Sequence, residues 1–139
     1  MERHSAPRRR AKTRRPEQEL QRQIVKALKA LLTPATFFYA VPNGGYRRKI
    51  EAAILVGQGV RAGVPDLMFI HCGKSYGLEL KAREGKPTAI QVQVHNEMYR
   101  AGAAVAIVRS LDEALNALRG FGIELRTDFP KRPALKVAA

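Results

Sequence analysis

Three side chains whose types and spacing suit one chemistry lie in the stretch Gly63 to Ala82, GVPDLMFIHCGKSYGLELKA. Asp66 follows Pro65 directly at the start of one β-prone run. Glu79 and Lys81 lie two residues apart in the next. Residues at i and i+2 of a strand share a face, so Glu79 and Lys81 point the same way, while Leu78, Leu80 and Ala82 point the other way, towards a core. Cys72-Gly73-Lys74-Ser75 reads as the turn between the runs. Pairing of the two strands brings Asp66 towards Glu79, giving two carboxylates and one amine on one surface. Such a trio suits metal-assisted phosphodiester cleavage. Hard divalent cations bind through one or two carboxylates with water and substrate phosphate. The cation lowers the pKa of bound water, and a nearby ammonium stabilises charge at phosphorus. The same alternation of Glu and Lys with Leu also describes a strand with an ordinary solvated face, and spacing alone does not separate the two.

Around this stretch the pattern predicts α-β-α-β-β-α-β-α, an α/β chain with a mixed sheet flanked by helices. Glu17 to Leu32 reads as a helix with Pro16 near its start and a stripe of Leu20, Ile24, Leu28 and Leu31. Glu17 precedes Ile24 by seven residues and so falls within about 20° of that stripe, while Glu19 falls on the opposite side. A carboxylate there needs a partner or a metal, or it is a helix-start acid that turns out to water. Thr36 to Val41 is aromatic and β-prone. Pro42-Asn43-Gly44-Gly45 breaks it, and Arg47-Arg48-Lys49 follows. That loop is a phosphate-contact site or a plain strand-to-helix turn, and it leads into a helix ending near Gln58.

Asp66 to His71 and Tyr76 to Lys81 form the central hairpin. Thr88 caps a helix that runs to Ala101, with Gln91, Val94, His95 and Met98 on one face. His95 on such a face is more often a packing or surface histidine than a ligand. Ala103 to Val108 reads as a short buried strand. Ser110, with Glu113 three residues later, forms a capping box for the helix Leu111 to Leu118, which Gly120 and Gly122 end.

The 139 residues carry a net charge of +13, which points to a polyanionic partner, most simply nucleic acid. Residues 1–16 hold 7 basic and 1 acidic side chain, and residues 126–139 hold 4 and 1. Most of the excess therefore lies at the two ends, which read as loose tails on one domain spanning 17–125. Arg8, Arg9, Arg10, Arg14 and Arg15 are the candidate phosphate contacts of the first tail. A solubilising tail with no catalysis nearby has the same composition. The single cysteine, Cys72, excludes an intramolecular disulfide and fits a reducing, cytoplasmic compartment. No apolar run has the length of a membrane span, and no apolar segment follows the charged N-terminus as in a secretory signal.

In order along the chain, Glu17 with Leu20-Gln21, then Pro42-Asn43-Gly44-Gly45 with Arg47, Gly63-Val64-Pro65-Asp66-Leu67, Glu79-Leu80-Lys81, and Gln91 with Gly102 and Ser110 resemble the VRR-NUC domain of the PD-(D/E)XK nuclease superfamily. The resemblance implies a restriction-endonuclease-like core and a DNA endonuclease that requires Mg²⁺ or Mn²⁺. It implies Asp66 and Glu79 as metal ligands, with the Leu80 backbone carbonyl a third. Lys81 would position the attacking water or stabilise the transition state, Glu17 would complete the acidic cluster, and Gln91 would support the site. Compact members are similar to Holliday-junction resolvases, which implies branched DNA as substrate, a homodimer, and a role in DNA repair. A second reading is a DNA-binding module with the nuclease fold and no turnover. A third is a small basic RNA-binding or structural protein.

Overall fold

The computed structural model describes residues 15–42 and 49–126. Four strands form one mixed sheet in the order β1-β2-β3-β4, where β1 is Thr36–Ala40, β2 Leu67–His71, β3 Lys74–Leu80 and β4 Ala104–Val108. The helices are α1 (Pro16–Leu31), α2 (Lys49–Gly57), α3 (Ala89–Arg100) and α4 (Leu111–Gly120). The expected element order therefore holds throughout. β1 and β2, and β2 and β3, pair antiparallel, and β4 lies parallel to β3. The parallel pairing needs a long crossover, which α3 supplies.

Period-two alternation divides the sheet between two layers. Phe38, Phe69, Tyr76 and Ala104 stand in register across it, as do Leu67, Leu78 and Ala106. This face packs on α1 and α4 through Ile24, Leu28, Ala114 and Leu118. The opposite face carries Phe37, Tyr39, Met68, Ile70, Gly77 and Glu79. α3 covers it at the β4 side. At the β1 side Phe37, Tyr39 and Ile70 remain exposed. No residue of α2 is buried.

Several boundaries differ from expectation. α1 begins at Pro16, with Arg15 as its cap, and ends at Leu31. β3 starts at Lys74, because the turn closes in two residues: Cys72 at φ 50° and Gly73 at φ 75°. β4 is an edge strand in which only Val108 is fully buried. The capping box at α4 is half formed. Ser110 Oγ accepts from the Glu113 N–H, but the Glu113 carboxylate accepts from Arg109 N–H, one residue before the cap. At α3 the full box forms between Thr88 and Gln91. The expected basic tails, apart from Arg15, Pro16 and Arg126, and the loop Asn43 to Arg48 lie outside the described residues.

Leu28 sits at the centre of the α1 stripe with no exposure. Leu28→Ala is expected to lower unfolding free energy by about 2–5 kcal/mol, read as a shift of the urea midpoint at unchanged slope.

Candidate functional site

The hairpin places the trio where the expected pairing puts it, at the end of the sheet where β2 begins and β3 finishes. Asp66 lies one residue before β2, and its carbonyl accepts from the Val41 N–H at 2.9 Å, extending the β1–β2 ladder. Its carboxylate turns across to β3, where Oδ2 accepts the Leu80 N–H at 2.8 Å. The preceding Pro65 is fully buried and packs on Gly77 of β3. A Cβ at Gly77 would lie 2.6 Å from the Pro65 ring, so the missing side chain lets the Pro65–Asp66 segment lie flat against β3.

Glu79 and Lys81 do share a face, as the alternation requires, but that face is not solvated. Glu79 is 2% exposed and Lys81 8%. The reading as an ordinary wet strand face therefore fails, while Leu78 and Leu80 do face a core. Two ionisable side chains buried on a strand require partners. Glu79 Oε1 accepts a 2.7 Å hydrogen bond from Gln91 Nε2 and lies 3.7 Å from Lys81 Nζ. The negative charge of Asp66 acts on the Glu79 carboxyl. Burial first, and the adjacent Asp66 charge second, push the Glu79 carboxyl up to about 8, against the opposing pull of Lys81.

The helix cap orients Gln91. Its Oε1 accepts the Thr88 N–H at 2.9 Å, closing the capping box, and this leaves Nε2 aimed at Glu79. A glutamate at that position would close the same box but set a carboxylate against a carboxylate. Helix-capping chemistry thus also orients the amide that holds Glu79.

His95 is the residue that sequence reasoning set aside. One turn after Gln91 on α3, its Nε2 faces Glu79 Oε2 at 3.7 Å. Both atoms are buried and lack a hydrogen-bond partner among the described residues. Burial, and then Lys81, lower the His95 pKa below its ordinary value. Gly63 stands at φ 87°, and a Cβ there would meet the Ile90 carbonyl oxygen at 3.0 Å. The spacing Gln91–His95 was the available signal, since i and i+4 share a helix face.

Glu17 reaches the site from the other side of the sheet. It is exposed at the start of α1 rather than buried on the stripe, and its Oε1 accepts from the Ala82 N–H at 3.3 Å. Its negative charge is felt at Glu79. Glu17 and Asp66 line a cleft of about 310 Å³ with Arg15, Gln21 and Leu80. Of the other candidate residues, Lys49 opens α2 and is exposed. Arg8, Arg9, Arg10, Arg14, Asn43, Arg47 and Arg48 lie outside the described residues. Among the described residues no three His, Cys, Asp or Glu side chains form a ready-made cation cage.

A carboxyl whose pKa rises on folding contributes stability that is fully present below its unfolded value, 4.5, and is lost as pH rises through about 8. In EDTA, Glu79→Gln is therefore expected to melt above the wild type at pH 8, with the difference shrinking towards pH 4.5. Calorimetric scans across that range read the effect.

No family model matches the chain, and no curated protein does. Solved structures do. A structure titled "VRR_NUC domain protein" superposes with TM-score 0.64 at 18% identity, over 78% of this chain and 89% of that one. Another, titled "VRR_NUC domain", superposes with TM-score 0.50 at 22% identity, over 76% of this chain and 95% of that one. The mixed four-stranded sheet with its four helices is thus a restriction-endonuclease-like α/β architecture, and the fold of this chain is that of the VRR-NUC domain.

Proposed function

We propose that this chain is a metal-dependent DNA endonuclease. The observation that carries the reading is the buried Glu79 carboxyl held against Asp66, Lys81 and Gln91. A strongly shifted carboxyl beside a cleft is a functional-site candidate, and a purely structural role gives no reason to bury one acid next to another. A divalent cation fits the donors. They are hard oxygen groups, and Glu79 Oε2 is buried with no hydrogen-bond partner among the described residues. In this reading Asp66, Glu79 and the Leu80 carbonyl hold Mg²⁺ or Mn²⁺, with water and phosphate completing the shell. When bound, the cation lowers the pKa of water and offsets charge on the leaving oxygen.

The remaining roles belong to side chains. Gln91 fixes one Glu79 oxygen and so orients the other. Lys81 donates to the phosphate or to the attacking water as negative charge develops at phosphorus. Glu17 stands across the cleft and completes the acidic cluster. Hydrolysis forms one phosphorus–oxygen bond to water and breaks one to a sugar oxygen.

The finer reading is selectivity for branched DNA such as Holliday junctions, in cytoplasmic DNA repair, by a homodimer. The dimer is supported by Phe37 at 64% exposure beside Tyr39 and Ile70 on the uncovered half of the sheet, since contiguous exposed apolar residues mark association sites. No helix among the described residues is long and apolar enough to cross a membrane.

Asp66→Asn and Glu79→Gln are expected to abolish Mg²⁺-dependent cleavage of a panel of single-stranded, duplex, flapped and four-way-junction DNA while leaving binding intact. Lys81→Ala is expected to cost about 10²–10³ in rate with little loss of affinity. A folded Glu79→Gln protein that still cuts would remove the metal-site assignment. For the dimer, Phe37→Ser with Tyr39→Ser is expected to shift sedimentation from dimer to monomer. A wild type already monomeric at tens of micromolar would contradict it.

A further inference from the structure

A second charged feature lies on α1 and is not part of the acidic site. At about 100° per residue, Gln18, Arg22, Val25 and Lys29 fall within about 60° of one another around the helix, with Lys26 about 40° to one side and Gln21 about 40° to the other. Arg22, Lys26 and Lys29 lie about 100° or more around the helix from Ile24 and Leu28, which face the core, while the half-buried Gln21 and Val25 form the core-side border of the flank. Arg22, Lys26 and Lys29 are all exposed, and the flank borders a concavity of about 570 Å³.

Two features separate it from an ordinary solvated helix face. First, it runs into the cleft. Gln18 and Gln21 wall both the concavity and the cleft that contains Glu17 and Asp66. Arg15 caps the helix at the cleft end. Second, the charges are sorted. Glu17 turns to Ala82 in the cleft, and Glu19 lies on the other border of the flank, about 20° past Lys26. The strip from Gln18 through Lys29 between them carries three cations and two amides.

We propose that the Arg22–Lys26–Lys29 flank of α1 is a track for the sugar-phosphate backbone of the DNA that enters the cleft. The proposal rests on the nuclease reading for the cleft's identity, but the track itself requires only DNA binding. From Arg15 to Lys29 is about 21 Å along the helix, the axial length of about six nucleotides of one B-form strand. Lysine and arginine suit this role because phosphate contacts fix position without reading sequence. The glutamines at the junction supply neutral donors and acceptors where the backbone passes from the basic strip to the acidic site. A cation there would pair with Glu17.

The test is a salt titration of binding by the full chain in EDTA, on labelled duplex and single-stranded DNA of arbitrary sequence. It compares wild type with Arg22→Gln/Lys26→Gln/Lys29→Gln and with a control of equal charge change elsewhere, Lys74→Gln/Arg100→Gln/Arg119→Gln. Melting curves verify that each variant is folded. The track predicts that the α1 variant loses about 2–3 from the slope of log K against log salt on duplex, at about 0.9 per phosphate, and about 10- to 100-fold in affinity near 0.15 M salt. The control should lose much less. Equal losses in both variants would mean that only net charge matters, and would overturn the track. So would an unchanged slope in the α1 variant. A wild type that does not bind DNA would overturn the track and the nuclease reading together. A wild type that binds with the predicted slope change but never cleaves with Mg²⁺ or Mn²⁺ would leave the track standing and remove the nuclease.

Discussion

Two carboxyl groups close enough for the charge of one to raise the pKa of the other, one of them almost wholly out of water, form an arrangement that a folded chain resists. The rest of this structure is arranged to hold it. Glu79 does not reach Asp66 through a flexible side chain. It is fixed on the central part of the sheet, with β2 on one side and β4 on the other, in a register that leaves no freedom to slide. A one-residue slip would exchange Glu79 with Leu78 or Leu80 and turn the whole face inside out. The Phe69, Leu67 and Leu78 core against α1 and α4 prevents that slip, so burial on one face of the sheet fixes the position of Glu79 on the other.

Local devices then set the distances. Gly77 lets Pro65 lie on β3, which delivers Asp66 to the Leu80 N–H. Gly63 accepts close approach of α3 at Ile90, which places the helix that carries Gln91 and His95. The Thr88–Gln91 box orients the amide that holds Glu79. Each device is local to the site, and the side chains they serve come from the residue leading into β2, from the end of β3 and from two helices. Sites assembled this way keep strain and repulsion because the surrounding packing over-determines them.

Much of this was legible in the sequence, for stateable reasons. Element order followed from hydrophobic period and turn chemistry, and Asp66, Glu79, Lys81 and Gln91 do converge because a two-residue hairpin and one helix cap dictate it. What periodicity did not convey was burial of the second sheet face. Glu79 and Lys81 alternate with leucines as solvent-facing residues do, and only the crossover helix α3 makes their face interior. The same blindness hid His95, whose helix position was plain but whose neighbour across the gap was not. Glu17 was assigned to the correct neighbourhood with a faulty picture. The helical angle matched the stripe, but at the first turn the core has already ended, so the residue lies at a cleft rather than under one. The edge position of β4 was missed because an apolar run looks alike whether a strand or a helix covers it.

Cation binding in the absence of DNA tests most directly whether the Glu79–Asp66 pair is held for a metal. Calorimetric titration with Mn²⁺ at neutral pH, in buffers of differing ionisation enthalpy, reads affinity and proton release together. With the Glu79 carboxyl up at about 8, the account predicts saturable binding that displaces up to one proton per cation and strengthens as pH rises towards 8. Both signals should disappear in Asp66→Asn and Glu79→Gln. Saturable binding unaffected by these substitutions, or a folded wild type that binds no Mn²⁺ at millimolar concentration, would contradict it.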